Sequence, residues 1–250
     1  MGAIGLGLLM AAGAARAGAA APKQVLELRL YTVEAGEKRQ RLDEFLGKVA
    51  IPAWNRIGIR PVGVWEAADG KRADLYVLLP HASMEAFATS RQRLLADAEF
   101  QKAGEPFLTL PKSDPLYRRI ESTLMLAFDD CPKVEDAVKD DTRLFQLRIY
   151  ESHSLLKGQR KVEMFNTGGE IALFRQCGMQ PVFFGEALAG TKIPNLTYMV
   201  VFKDEAAQKA NWKKFVTSPE WKAISGKPIY KDTVSHITNI VLKPTACSQL

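Results

Sequence analysis

The sequence predicts an α+β fold built from two tandem β-α-β-β-α-β units, and three features of the chain point to it. First, the 250 residues write one pattern twice: "LELRLYTVEAGE" starts at Leu26 and "FQLRIYESHSLL" at Phe145. Three further matches follow in the same order. "GIRPVGVWEAADG" (Gly58–Gly70) answers to "GMQPVFFGEALAG" (Gly178–Gly190), "DLYVLL" (Asp74–Leu79) to "LTYMVVF" (Leu196–Phe202), and "DAEFQKAG" (Asp97–Gly104) to "SPEWKAISG" (Ser218–Gly226). Ordered matches at a nearly constant offset indicate internal duplication. Second, the apolar spacing inside each copy switches between period two and helical period. Third, the charged stretch "DDCPKVEDAVKDDTR" (Asp129–Arg143), which contains Pro132, separates the copies.

Each element has a local reason. The first strand, Val25–Tyr31 or Leu144–Tyr150, alternates apolar and polar residues strictly. Leu42, Phe45, Leu46 and Val49 then recur at helical spacing, as do Val162, Phe165, Leu173 and Phe174 in the second copy. The second helix is interrupted by Gly168-Gly169, a poor helical pair. Gly58 and Gly178 stand where a helix stops. A second strand runs on from Val62 or Val182, and a turn at Asp69-Gly70, or a longer one through Pro194-Asn195, leads into the third strand. Ser83 and Asp204 are N-cap residue types opening another helix. A short helical turn follows near Phe100 or Trp221, and the last strand is Ser122–Phe128 or Ile237–Leu242. This order is the ferredoxin-like arrangement. One such unit carries helices on one sheet face only, so the second copy is expected to cover the other. The chain would then be an intramolecular pseudo-dimer with its sheets closed face to face. The boundaries are 24–130 for repeat 1, 131–143 for the linker and 144–244 for repeat 2.

Residues 1–21 read differently. They are Ala/Gly/Leu-rich with one charge, Arg16, and the apolar run Ala3–Ala15 is short for a bilayer. Small residues at Ala15 and Ala17, and again at Ala19 and Ala21, form A-x-A cleavage patterns. A cleaved export signal is therefore expected, with delivery to a bacterial periplasm or the exterior and no stable membrane insertion afterwards. Composition excludes other classes. Hydrophobic residues make up 47% and charged residues 25%, ordinary globular values. The net charge of +6 is spread over 34 basic and 28 acidic residues without a basic stripe, so no nucleic-acid partner is expected. Of the three cysteines, Cys177 reads as a buried thiol, while Cys131 and Cys247 follow the last strands and are candidates for a bridge in an exported protein. His81, His153 and His236 lack metal-ligand spacing, and no nucleotide or hydrolase motif occurs. No cofactor is expected.

The opening "ELRLYTVEAGE" (Glu27–Glu37), the Gly-x-x-Pro-Val strand entries at Gly58 and Gly178, and the closing "PEW" (Pro219–Trp221) resemble the NIPSNAP family of the dimeric α+β barrel superfamily. The resemblance runs from Val25 to Pro244. It implies the barrel fold, and it implies kinship with cofactor-independent monooxygenases, lactone isomerases and haem-dependent enzymes that use the barrel interior as a pocket. The third strand, "DLYVLLPHAS", departs from the family's aromatic-rich strand with a preceding histidine: here His81 comes after it, and takes no role from the resemblance.

The alternation on the first strands also suggests a site. Leu26, Leu28 and Leu30 share one face, as do Phe145, Leu147 and Ile149; Glu27, Arg29 and Tyr31, and in the second copy Gln146, Arg148 and Tyr150, occupy the opposite faces. The apolar faces are expected to pack on the helices. The polar faces would then point between the sheets, joined by Glu66 and Glu186 on the second strands and Tyr76 and Tyr198 on the third. Two readings follow. Either each arginine is held by a glutamate in a packed network, or these eight residues line a pocket for a small organic or anionic ligand, since arginine recognises carboxylates bidentately. An oxygenase or isomerase, and a protein-interaction module with a packed interior, are the alternatives. A further homo-oligomer through free edges is compatible with the pattern. Trp65 and Gly185 fall at matching positions, so the two halves of the interior are expected to differ there.

Overall fold

The computed structural model describes residues 22–137 and 139–250; the leader reading falls outside them. Repeat 1 runs β1 (Val25–Thr32), α1 (Glu37–Phe45), a widened π turn (Leu46–Ala50), α2 (Ile51–Arg56), β2 (Gly63–Ala67), β3 (Leu75–His81), α3 (Met84–Ala96), α4 (Ala98–Leu108) and β4 (Arg119–Ala127). Repeat 2 runs β5 (Leu144–Glu151), α5 (Leu155–Phe165), α6 (Glu170–Gln176), β6 (Gln180–Ala189), β7 (Asn195–Phe202), α7 (Glu205–Thr217), α8 (Pro219–Ser225), a 3-10 turn (Pro228–Tyr230) and β8 (His236–Pro244). The caps are as expected: Ser83 Oγ accepts from the Ala86 amide at 3.1 Å and Asp204 Oδ1 from the Ala207 amide at 2.7 Å. The π turn sits just before Pro52, whose ring and missing N–H are poorly tolerated within a regular helix. Repeat 2 breaks its helix instead at the diglycine, where Gly169 has φ 87°.

The strands close into one barrel in the order β1-β3-β2-β8-β5-β7-β6-β4. Every neighbouring pair is antiparallel, and the seams between repeats are β2 with β8 and β4 with β6. Closure leaves no free sheet edge among the described residues. The chain after each last strand crosses to the other repeat. The amides of Phe128 and Glu135 donate to Phe184 and Val182 carbonyls, and those of Thr245 and Gln249 donate to Val64 and Val62 carbonyls. The stretch after β4 is thus partly packed: Cys131, Val134 and Ala137 are buried. Cys131 lies in the repeat 2 core and Cys247 against that of repeat 1, so the crossing tails hold them in separate cores, and all three cysteines are free.

Three apolar cores result. One lies between the repeat 1 sheet and its helices (Tyr31, Val64, Leu75, Val77, Phe45, Trp54). A second is its repeat 2 counterpart (Tyr150, Phe184, Tyr198, Phe165, Phe174, Phe215). The third fills the barrel with Leu26, Leu28, Trp65, Leu78, Met125, Phe145, Leu147, Phe183 and Met199. This corrects the face assignment expected for β1 and β5. Their apolar faces point into the barrel, and the Arg and Tyr faces turn toward the helices. The barrel interior is walled by strands all round, so it takes the face without charges. The helix layer ends at an open margin where an arginine can keep its guanidinium near water while its stem is buried. Trp65 and Phe183 fill the interior reciprocally: Gly63 stands at the level of Phe183 and Gly185 at the level of Trp65. A Cβ on Gly63 would collide with the Trp65 ring.

Candidate functional site

Arg29 belongs to a closed network. Its Nε and Nη2 donate to Glu27 Oε1 and Oε2 at 2.7 and 3.0 Å, and its Nη1 lies 3.5 Å from Tyr31 Oη. Ser122 Oγ donates to the same carboxylate at 2.9 Å, and His81 Nε2 lies 3.3 Å from it. Burial pushes the Glu27 carboxyl up, but the His81, Arg29 and Ser122 contacts outweigh it and bring it down to about 2. Burial raises the Tyr31 phenol, with Arg29 opposing. The packed-network reading therefore holds for Arg29, with a partner from its own strand and not from the neighbouring one. Glu66 goes elsewhere, accepting from Arg39 Nη2 at 2.7 Å.

Arg148 occupies the same place in repeat 2 and differs. Gln146 stands where repeat 1 has Glu27. Its amide oxygen accepts from Trp212 Nε1 at 2.6 Å and Gln208 Nε2 at 3.2 Å, and its nitrogen donates to Asn239 Oδ1 at 2.7 Å. The Arg148 guanidinium lies 4.7 Å over Trp212 and 5.1 Å over Tyr150, while its Nε is buried without a hydrogen-bond partner. Tyr150 and Tyr198 hydroxyls are 3.1 Å apart. Burial raises both phenols, Tyr198 well above the usual range. Below them Lys161 Nζ meets Glu170 Oε2 at 2.9 Å, both buried. Burial raises the Glu170 carboxyl although Lys161 pulls the other way. Glu186 is exposed on the outer face of β6, beside a surface groove lined by Lys23, Glu163 and Asn166.

Tyr76 alone among the eight candidates faces the barrel interior, opposite Leu30 and Trp65. The sequence match of Tyr76 to Tyr198 is one residue out of register: Arg29 pairs with Val77, whereas Arg148 pairs with Tyr198. Tyr76 marks one end of an uneven interior. At the end where β1 and β5 begin, Leu26, Leu78, Phe145 and Leu242 are fully buried and Val134, Ala137 and Leu250 pack over them. At the other end the inward-facing Leu30, Tyr76, Thr123, Ile149, Thr238 and Ile240 all reach solvent. On a closed barrel, inward side chains meet water only through the mouth. Burial raises the Tyr76 phenol. Sequence reasoning gave no site role to Glu27, His81, Gln146 or Trp212, whose roles depend on cross-strand and helix-sheet neighbours. No cluster of metal-ligating side chains occurs among the described residues, and no helix there is long and apolar enough to cross a membrane.

Two α+β units whose sheets close into one eight-stranded barrel define a single-chain counterpart of the dimeric α+β barrel proteins. A family model described as NIPSNAP matches residues 26–132 and again 145–249, one match per repeat, and the chain belongs to the NIPSNAP family. Among solved structures, it is similar to a "putative monooxygenase" from Fusobacterium nucleatum, with 11% identity and a TM-score of 0.56 over 89% of this chain and 92% of that one. A second "putative monooxygenase", from Lactobacillus acidophilus, matches with 10% identity and TM-score 0.56 over 89% and 94%. An anthrone oxidase-like protein matches with 14% identity and TM-score 0.55 over 89% and 92%. At these identities the likeness is one of fold. No curated protein matches the sequence.

Proposed function

We propose that this NIPSNAP protein binds a small, mainly apolar organic molecule in the open mouth of its barrel. The observation that supports it is the solvent access of Leu30, Tyr76, Ile149 and Ile240, inward-facing residues beside the fully buried Trp65 and Met199. Concave, mostly apolar sites with a few polar groups are the usual small-molecule sites. Tyr76, Thr123 and Thr238 supply hydroxyls on the wall and orient the guest. An oxygenase or isomerase acting on that guest is the second reading. It is favoured by Tyr76 and Glu121, which flank Leu30 on the inner face from β3 and β4 and so place a phenol and a carboxylate at one level of the mouth. Export through residues 1–21 belongs to the same proposal and is checked by N-terminal sequencing of the mature protein.

The test is titration with the neutral fluorophore N-phenyl-1-naphthylamine, together with native mass spectrometry of protein purified from its host compartment. Saturable binding lost in Thr238→Trp, which fills the mouth, supports the proposal. Absence of saturable binding in the folded protein, or binding unchanged in Thr238→Trp, overturns it. Conversion of a retained guest that stops in Glu121→Gln would establish the enzymatic reading.

A further inference from the structure

The two repeats build the same polar cradle on the helix side of the sheet, and only one of them holds an anion. In repeat 1 the cradle is Arg29 on β1 and Ser122 opposite it on β4, and the Glu27 carboxylate accepts from both. In repeat 2 the arginine and a donor across the strand pair persist, while Phe202 stands in the register of His81, which in repeat 1 also lies 3.3 Å from Glu27. Arg148 lies on β5 with Asn239 opposite it on β8. The acceptor is gone, because Gln146 replaces Glu27 and turns to Trp212, Gln208 and Asn239. No carboxylate lies within ion-pair distance of Arg148 among the described residues; the nearby Glu170 is held by Lys161. The Arg148 Nε, equivalent to the atom that makes the shortest bond to Glu27 in repeat 1, is buried and unbonded. A guanidinium with no acceptor for that N–H is costly unless something supplies one.

We infer that Arg148 is a binding site for the carboxylate of a small organic acid, which takes the place that Glu27 fills in repeat 1. The site is built rather than incidental. The guanidinium sits over the Trp212 and Tyr150 rings, contacts that keep it in place for a bidentate acceptor. Asn239, exposed beside it, already gives its oxygen to Gln146 and has its amide nitrogen free to donate, as Ser122 does in repeat 1. Arg148 is half-buried, and Asn239, its partner across the β5–β8 pair, is exposed. A carboxylate is favoured over a tetrahedral oxyanion because the equivalent cradle is shaped around one, with the two oxygens of Glu27 on Nε and Nη2 of Arg29. The site is separate from the barrel mouth, since Arg148 lies on the opposite face of the sheet from Ile149.

The test is titration of the whole protein with benzoate and with acetate, read by the Nε–Hε resonance of Arg148 and by Trp212 fluorescence, with sulfate as the control anion at equal ionic strength. The expected result is a saturable shift with the carboxylates. Arg148→Gln should weaken binding by about ten- to a hundredfold, the range for losing a hydrogen bond to a charged group, whereas Arg29→Gln should leave the carboxylate affinity intact. Gln146→Glu is the decisive variant. It restores the repeat 1 arrangement internally, so the Arg148 resonance should take its bound position without ligand and added benzoate should no longer move it. That variant keeps the native charge at 148 and so separates site occupancy from a folding defect. The inference is overturned if benzoate and acetate fail to saturate, if sulfate gives the same shift, or if Gln146→Glu still binds benzoate as the parent does.

Discussion

Glu27→Gln perturbs the centre of the repeat 1 network and leaves the side-chain volume nearly unchanged. The Glu27 carboxyl titrates at about 2 in the folded chain against an ordinary 4.5. The difference of about 2.5 pH units corresponds to about 3 kcal/mol of stability at neutral pH, at 1.36 kcal/mol per unit. A carboxyl depressed by folding stabilises above its unfolded value, and that stability is lost as the pH falls through the folded value. The parent should therefore keep the full contribution above about pH 5, roughly half of it at pH 3, and almost none below pH 2. The variant lacks this dependence. It also leaves Arg29, whose side chain retains 22% of its exposure, facing a neutral amide, which places the cost near the low end of the 3–5 kcal/mol typical of breaking a buried pair. Equilibrium urea denaturation at pH 7, 4 and 3 measures the gap between parent and variant. It should be about 3 kcal/mol at pH 7 and roughly half that at pH 3. A gap under about 1 kcal/mol at pH 7, or one that does not narrow on acidification, would refute the reasoning.

The remaining predictions concern burial. Lys161→Met strands the Glu170 carboxylate and should cost about 3–5 kcal/mol at pH 7, while Lys161→Met with Glu170→Leu should recover most of it, measured by the same denaturation. Gly63→Ala should cost about 1–3 kcal/mol through overpacking against Trp65 and should be non-additive with Trp65→Phe in a double-mutant cycle; additive costs would mean that the ring yields freely.

Much of the architecture was legible because it rests on local rules. Strict alternation specifies β1 and β5, Ser83 and Asp204 cap their helices as their chemistry suggests, and Gly168-Gly169 breaks the helix where it falls. The ordered repeat predicted two units, and the Trp65 and Gly185 mismatch predicted an interior that is not symmetric. Of the candidate site, residue types were legible but neighbours were not. Arg29 and Arg148 sit in nearly identical strings, Leu-Arg-Leu-Tyr and Leu-Arg-Ile-Tyr, and their difference rests on Glu27 against Gln146 and on a tryptophan from a helix more than sixty residues along the chain, at Trp212.

The sequence by itself determined which residues share a face, because side-chain direction on a strand has period two and needs only the neighbouring residues. It could not say which face turns inward. That choice was made by closure, which joins β2 to β8 and β4 to β6 and leaves the wholly apolar face as the one suited to a dry interior. Closure also carried the tails after β4 and β8 across to the opposite repeat, and packing decided that Tyr198 pairs with Arg148 while Tyr76 faces the barrel. A one-residue shift of register reverses a side chain's face at no local cost, so only the long-range pairing of strands settles it.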